Sequence, residues 1–198
     1  VIVDPADKKI PYRPEARAKQ LENFKNGAAL DPANKCYLPG VPRVMYLPFP
    51  IQILQTPKYV MVMNEMVHTA RVIPMDSRPF PNVPQWVGTS RGRWEGDTLV
   101  VETKGFKGET SFRGSSPNLH LIEKFTRTDK DTLVYQFTAN DPSTWVKPWT
   151  AEIPLRRSDD QIFEYACHEA NYGMTNLLQG ARTVEREAGT TKTTASRP

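Results

Sequence analysis

The chain has 198 residues, a net charge of +4 and 38% apolar residues, enough for one ordinary domain and short for two. Its 18 prolines are well above the ~5% of an average chain, and proline is excluded from helix interiors, which argues against a helical bundle. Basic and acidic residues interleave with no run of five cations, so no nucleic-acid surface is indicated, and no apolar run approaches the ~20 residues of a membrane span.

Residues 1–14 read as an extended, proline-bounded arm. Pro14–Gly27 reads as a helix: Pro14 suits the first turn, Ala16, Leu21 and Phe24 offer an apolar side, and Gly27 suits the C-terminal cap. Leu30–Arg43 holds Pro32, Pro39 and Pro42 and is a loop, since a central strand cannot carry them. From residue 51 the pattern becomes one of short strands rich in Val, Ile, Thr, Tyr and Phe. They fall at 51–56, 59–65, 70–75, 86–96, 97–106, 119–127, 131–140, 149–157 and 162–169. The links at 128–130 and 158–161 are short and carry Asp, as hairpin turns do. A short helix is expected at 172–182.

Strands in succession without intervening helices exclude a parallel sheet. The expected fold is mainly β, an antiparallel meander forming a curled sheet or a lipocalin-like up-and-down barrel. The organisation read from this is an arm, helix and proline-rich loop at 1–50, a β-barrel-like domain at 51–183 and a disordered tail at 184–198. Val1 in place of Met is what processing of a longer precursor leaves, so removal of a leader is expected.

Many chemistries have no signature here. The sequence lacks a phosphate-binding glycine loop, a dinucleotide fingerprint, HExxH, Cys-x-x-Cys, a haem-attachment sequence and a nucleophile elbow. No nucleotide, flavin or c-type haem is therefore indicated, and a divalent metal is left as the one open cofactor. The remaining candidates are polar groups set in strand-like sequence: His68 and Arg71, Arg91, Arg93 and Glu95, His120 and Glu123, and His168, Glu169 and Asn171. Buried without partners, each would cost several kcal/mol (roughly 2–7), so they must face solvent, pair, or line a polar pocket.

Strand alternation separates some of them. Residues three apart face opposite sides, so neither His120 and Glu123 nor His68 and Arg71 share a face, unless a bulge intervenes in the second pair. At 119–127 one face carries Leu119, Leu121, Glu123 and Phe125, and the other His120, Ile122, Lys124 and Thr126. One of these faces is expected to open onto the barrel cavity. The four tryptophans read as core or rim packing. The two cysteines are either free thiols or one disulfide, the latter in an oxidising compartment. A bridge would close a loop of roughly 130 residues and stabilise the fold by ~4–5 kcal/mol in the chain-entropy model.

The segments GRWEGDTLVVET, HTARVIPMDSRPFP, EYACHEANYGM, DPANKCYLPGVPR, IQILQTPKYVMVMNE, LHLIEKFTR and DPSTWVKPWT together resemble a family of uncharacterised exported bacterial proteins, over roughly residues 1–185. The resemblance implies export, and so a periplasmic or secreted location. It also implies a Cys36–Cys167 disulfide, and a shared polar pocket drawing on His68, Arg71, Arg93, Trp94, Glu95, Asp97, His120, Glu123 and Glu169. It points to no particular reaction.

Two functional readings follow. In the first, the pocket performs acid–base chemistry as a lyase, isomerase or hydrolase on a small oxygenated compound. His68 and His120 carry protons, Glu169 or Glu123 serves as base or orienter, and Arg71 or Arg93 stabilises an anion. A metal variant uses His68, His120 and His168 as ligands. In the second, the protein binds a small molecule without catalysis or docks as a homo-oligomer or accessory subunit in a larger exported assembly. Convergence of the three histidines on a cavity discriminates between them.

Overall fold

A computed structural model describes residues 1–165, 167 and 172–194. The chain divides into two compact units, Val1–Tyr165 and Ala166–Pro198. The first begins with a short strand, β1 (Ile2–Asp4), and two helices, α1 (Pro14–Lys25) and α2 (Gly27–Leu30). The helix expected from Pro14 is present, with Pro14 in its first turn and Glu15 and Lys25 placed to suit the helix dipole. Short 3-10 turns occupy Pro32–Lys35 and Arg43–Tyr46 within the proline-rich stretch.

Eight strands follow: β2 (Ile51–Gln55), β3 (Tyr59–Asn64), β4 (Thr69–Pro74), β5 (Thr89–Glu95), β6 (Thr98–Lys104), β7 (His120–Arg127), β8 (Thr132–Asn140) and β9 (Trp149–Arg156). All pairings are antiparallel, giving a three-stranded sheet β2-β3-β4 and a six-stranded sheet β1-β9-β8-β7-β6-β5. The meander read from the sequence is therefore what forms, as a curled sheet. The barrel alternative is not realised, because β2 pairs only with β3 and no ladder joins it to β9 among the described residues.

Two strand assignments differ from the sequence reading. The extended arm contributes a strand of its own, in which Ile2 and Asp4 pair with Ala151 and Thr150 of β9. Glu152 and Val1 exchange two main-chain hydrogen bonds here, of 2.7 and 2.8 Å. At 162–169, residues 162–165 form no strand. An apolar pattern alone does not make a strand where no neighbouring edge is offered. The rest of that segment is Cys167, which is not in a strand, and residues outside the described set.

The core lies between the two sheets, where alternation sends every second side chain inward. Val60 and Val62 of β3, Ile73 of β4, Leu99 and Val101 of β6, Leu121 and Phe125 of β7, and Tyr135 and Phe137 of β8 are all buried. Hence the Leu119, Leu121, Glu123, Phe125 face of β7 meets packed interior, not the cavity expected of a barrel. At the β1 end Phe112, Phe137, Trp145 and Trp149 pack together with centroid separations of 5.5–5.8 Å, Phe112 stacked on Trp149 and the other pairs edge to face. At Gly92 of β5 the two sheets leave no room for a side chain. A Cβ there would lie 2.9 Å from Ile73 Cγ2 and 2.6 Å from Met75 Sδ, so a larger residue would push β4 away.

The second unit contains α3 (Tyr172–Thr194). It continues well past the expected 172–182 helix and through most of the segment read as a disordered tail, whose last four residues lie outside the described set. Both cysteines are disulfide-bonded, so the bridge implied by the family resemblance is present.

Candidate functional site

A buried polar cluster of the interior is built from five strands. Arg71 comes from β4, Ser90 from β5, Thr103 from β6, Glu123 from β7 and Tyr135 from β8. Each occupies an inward position of its strand, so alternation alone carries all five side chains into the same layer. Arg71 is 3% exposed and Glu123 0%.

Arg71 donates from Nε to Ser90 Oγ at 2.9 Å, from Nη1 to Glu123 Oε1 at 2.9 Å and from Nη2 to Thr103 Oγ1 at 2.7 Å. A further Nη2 bond reaches Glu123 Oε2, making the pair bidentate. Glu123 also accepts from Tyr135 Oη at 2.9 Å and Thr103 Oγ1 at 3.2 Å. Burial opposes the Arg71 charge, but the Glu123 carboxylate outweighs it and raises the arginine further. Burial, and then the same carboxylate, push the Tyr135 phenol well above its usual value.

Charge and hydrogen-bonding capacity are thus satisfied internally, which is the condition for a buried ion pair to be tolerated. The cluster ties β4 of one sheet to four strands of the other. Of the residues expected in a pocket, Arg71 and Glu123 are the two that meet in this cluster. The sequence reading missed Ser90, Thr103 and Tyr135, whose signal was a polar atom in an otherwise apolar inward column.

The other candidates disperse. His120 stands on the outer face of β7, its Nε2 2.9 Å from Glu102 Oε1. Lys104 Nζ lies 2.6 Å from the same oxygen. The lysine hydrogen bond is the main influence holding the Glu102 carboxyl below its ordinary value, with a smaller contribution from His120. His68 sits in the β3–β4 turn, where Val67 (φ 54°) and His68 (φ 39°) both take left-handed backbone. Its Nδ1 is 3.7 Å from Glu164 Oε1, and both side chains are more than two-thirds exposed.

Arg93 pairs with Glu95 at 2.6 Å on the surface. His168 and Glu169 lie outside the described residues. Hence His68 and His120 have separate carboxylate partners, and no group of three potential metal ligands occurs among the described residues.

What the fold does leave open is the seam between β2 and β9. Along β9 the edge beyond Glu152 is not covered by β1, and β2 has no outer neighbour. Pro154 faces that edge two residues after Glu152, and it lacks the N–H that another strand would need. At one end of the seam lies a cleft of about 510 Å³. Buried Val60, Leu99 and Phe125 floor it, and half-buried Ile51, Ile53, Leu133 and Leu155 wall it.

The cleft rim is where the inward columns run out. Beyond Phe125 the next inward residue of β7 is Arg127. Beyond Leu155 comes Arg157, and beyond Gly92 of β5 comes Trp94, which is 48% exposed. Trp145 and Trp149 are core residues as expected, whereas Trp94 belongs to this rim.

The fold and site define an open, curled antiparallel β protein with a charged clamp in its core and a cleft at its unclosed seam. No family model matches the chain, and neither a curated protein nor a solved structure does.

Proposed function

We propose that the protein is a non-catalytic small-molecule-binding protein of the periplasm or the extracellular space, and that its ligand enters the cleft at the open seam between β2 and β9. The observation that carries this reading is the cleft's composition: a buried apolar floor of Val60, Leu99 and Phe125 with an exposed aromatic and several polar groups at its mouth. Its size falls within the ~300–1,000 Å³ of ordinary ligand pockets.

The acid–base alternative needs imidazoles aimed into a shared space. His68 and His120 instead meet Glu164 and Glu102 on the surface, and Arg71 and Glu123 are consumed by one another. Export is supported by the disulfide, since such bonds persist in oxidising compartments, and by the resemblance to exported bacterial proteins. No described helix is long and apolar enough to cross a membrane.

A neutral fluorescent probe, N-phenyl-1-naphthylamine, tests the reading. Its emission is expected to rise on addition of the protein. The rise should be lost when Ile53→Arg places a cation in the cleft wall, with the far-ultraviolet circular dichroism unchanged. Equal emission with the wild-type protein and the folded Ile53→Arg variant would sink it.

A further inference from the structure

Four cations border the cleft, Arg127, Lys130, Arg156 and Arg157, against two acids, Asp97 and Asp131. The cations differ in how they are held. Lys130 lies 3.7 Å from Asp131, and Arg157 lies 2.9 Å from Asp159.

Arg127 instead donates to two main-chain oxygens, from Nε to Asp129 at 3.1 Å and from Nη2 to Lys130 at 2.8 Å. Arg156 donates from Nη1 to the Thr132 hydroxyl at 3.0 Å. The Asp129 carboxyl is held below its ordinary value chiefly by the Asp131 N–H and in smaller part by the Arg156 charge, so Arg156 already faces an acid. Arg127 is fixed by neutral acceptors that leave its charge uncancelled, and its Nη1 makes neither of these bonds and is left to meet a ligand.

An arginine positioned by neutral groups at the edge of an apolar floor is suited to an anion, above all a planar carboxylate that accepts two parallel N–H bonds. The apolar floor in turn favours a ligand whose remaining atoms are hydrocarbon. Trp94 at the rim offers a flat face to that hydrocarbon.

We infer that the ligand is an amphipathic carboxylate, its acid group bound by Arg127 and its hydrocarbon body lying on Val60, Leu99 and Phe125. This rests on the cleft being the binding site, and it adds the chemical class. A neutral ligand would leave Arg127 unanswered, and a cationic one would be repelled by it.

Calorimetric titration with decanoate, decanamide and decylammonium, each below its micelle concentration, separates the possibilities. Decanoate is expected to bind at least tenfold more tightly than decanamide, and decylammonium not at all. In the Arg127→Gln protein the decanoate advantage should fall to within about threefold, with decanamide affinity unchanged. The substitution is at an exposed position, and a thermal melt checks that the fold is retained.

Equal binding of decanoate and decanamide would overturn the carboxylate class while leaving the cleft as a binding site. A decanoate preference that survives in the Arg127→Gln protein would overturn the role of that arginine. No binding of any of the three, together with no response to the neutral fluorescent probe, would overturn the class and the binding function together.

Discussion

The chain places arginines on the inward faces of its strands in two regions, with opposite results. Arg71 sits mid-strand in β4 and is enclosed. It is answered by Glu123 and by the hydroxyls of Ser90 and Thr103. Arg127 ends β7 at the open seam and is answered only by main-chain oxygens. The same residue type, with the same inward phase, is a structural clamp where the sheets close over it and an available charge where they part. An inward polar residue therefore carries functional meaning only together with its depth along the strand.

The largest expected effect lies in the buried region. Glu123→Leu leaves a guanidinium enclosed without its carboxylate and should cost ~3–5 kcal/mol in urea unfolding. Adding Arg71→Met should recover more than half of that loss, because the stranded charge is then gone. A double variant no more stable than the single one would break the account of this cluster as a compensated pair.

Tyr135→Phe removes one hydrogen bond to a charged acceptor and keeps the ring packing against Phe125 and Phe137. It should cost about 1.5–3 kcal/mol, read by the same unfolding curve. The variant also sharpens the alkaline behaviour. The Tyr135 phenol is raised in the folded protein from its ordinary value of 10.0, so its contribution is complete below about pH 10 and declines as pH rises above it. Between about pH 10 and pH 12 the wild type should lose stability more steeply than Tyr135→Phe. Tyr12 and Tyr46 are also raised by burial, so some slope should remain in the variant.

The rim should respond least. Arg127→Gln is expected to shift unfolding by less than about 0.5 kcal/mol, as for most exposed positions, while weakening decanoate binding. A stability loss comparable to that of Tyr135→Phe would make Arg127 part of the structural framework and erase the contrast between the two regions.

The outer-face group is comparably mild. Glu102 is depressed chiefly by its bond to Lys104. Its contribution is therefore present above the ordinary carboxyl value of 4.5 and is lost as pH falls through the lower folded value. Glu102→Gln should flatten the acid limb of the stability curve by no more than about 1 kcal/mol, as for other partly exposed pairs.

Much of the fold was legible because strand signals are local. Apolar alternation with Asp-bearing links placed β7, β8 and β9 to within a residue or two, and Pro14 announced the start of α1. β1 was not legible: three residues, Ile-Val-Asp, carry no period and become a strand only because β9 presents an edge to them. The missing strand at 162–165 is the converse, a favourable pattern with no edge to join.

The candidate site was legible in part. Arg71 and Glu123 stood out as charges in apolar surroundings, and alternation correctly put His120 on the opposite face from Glu123. Their mutual pairing was not readable, since they lie 52 positions apart and meet only through the sheet-on-sheet packing. Nor was the cleft, whose rim is the place where several inward columns end at one level.

By itself the sequence determined the antiparallel β class, the order of the strands and the phase of each inward face, because these follow from backbone geometry and side-chain type within a few residues. The tertiary structure alone decided whether the curled sheet closed, which charges were enclosed and which were left at an opening. These depend on which edges and faces come together across long stretches of chain, and burial, which sets the energetic consequence of a charge, exists only once they have done so.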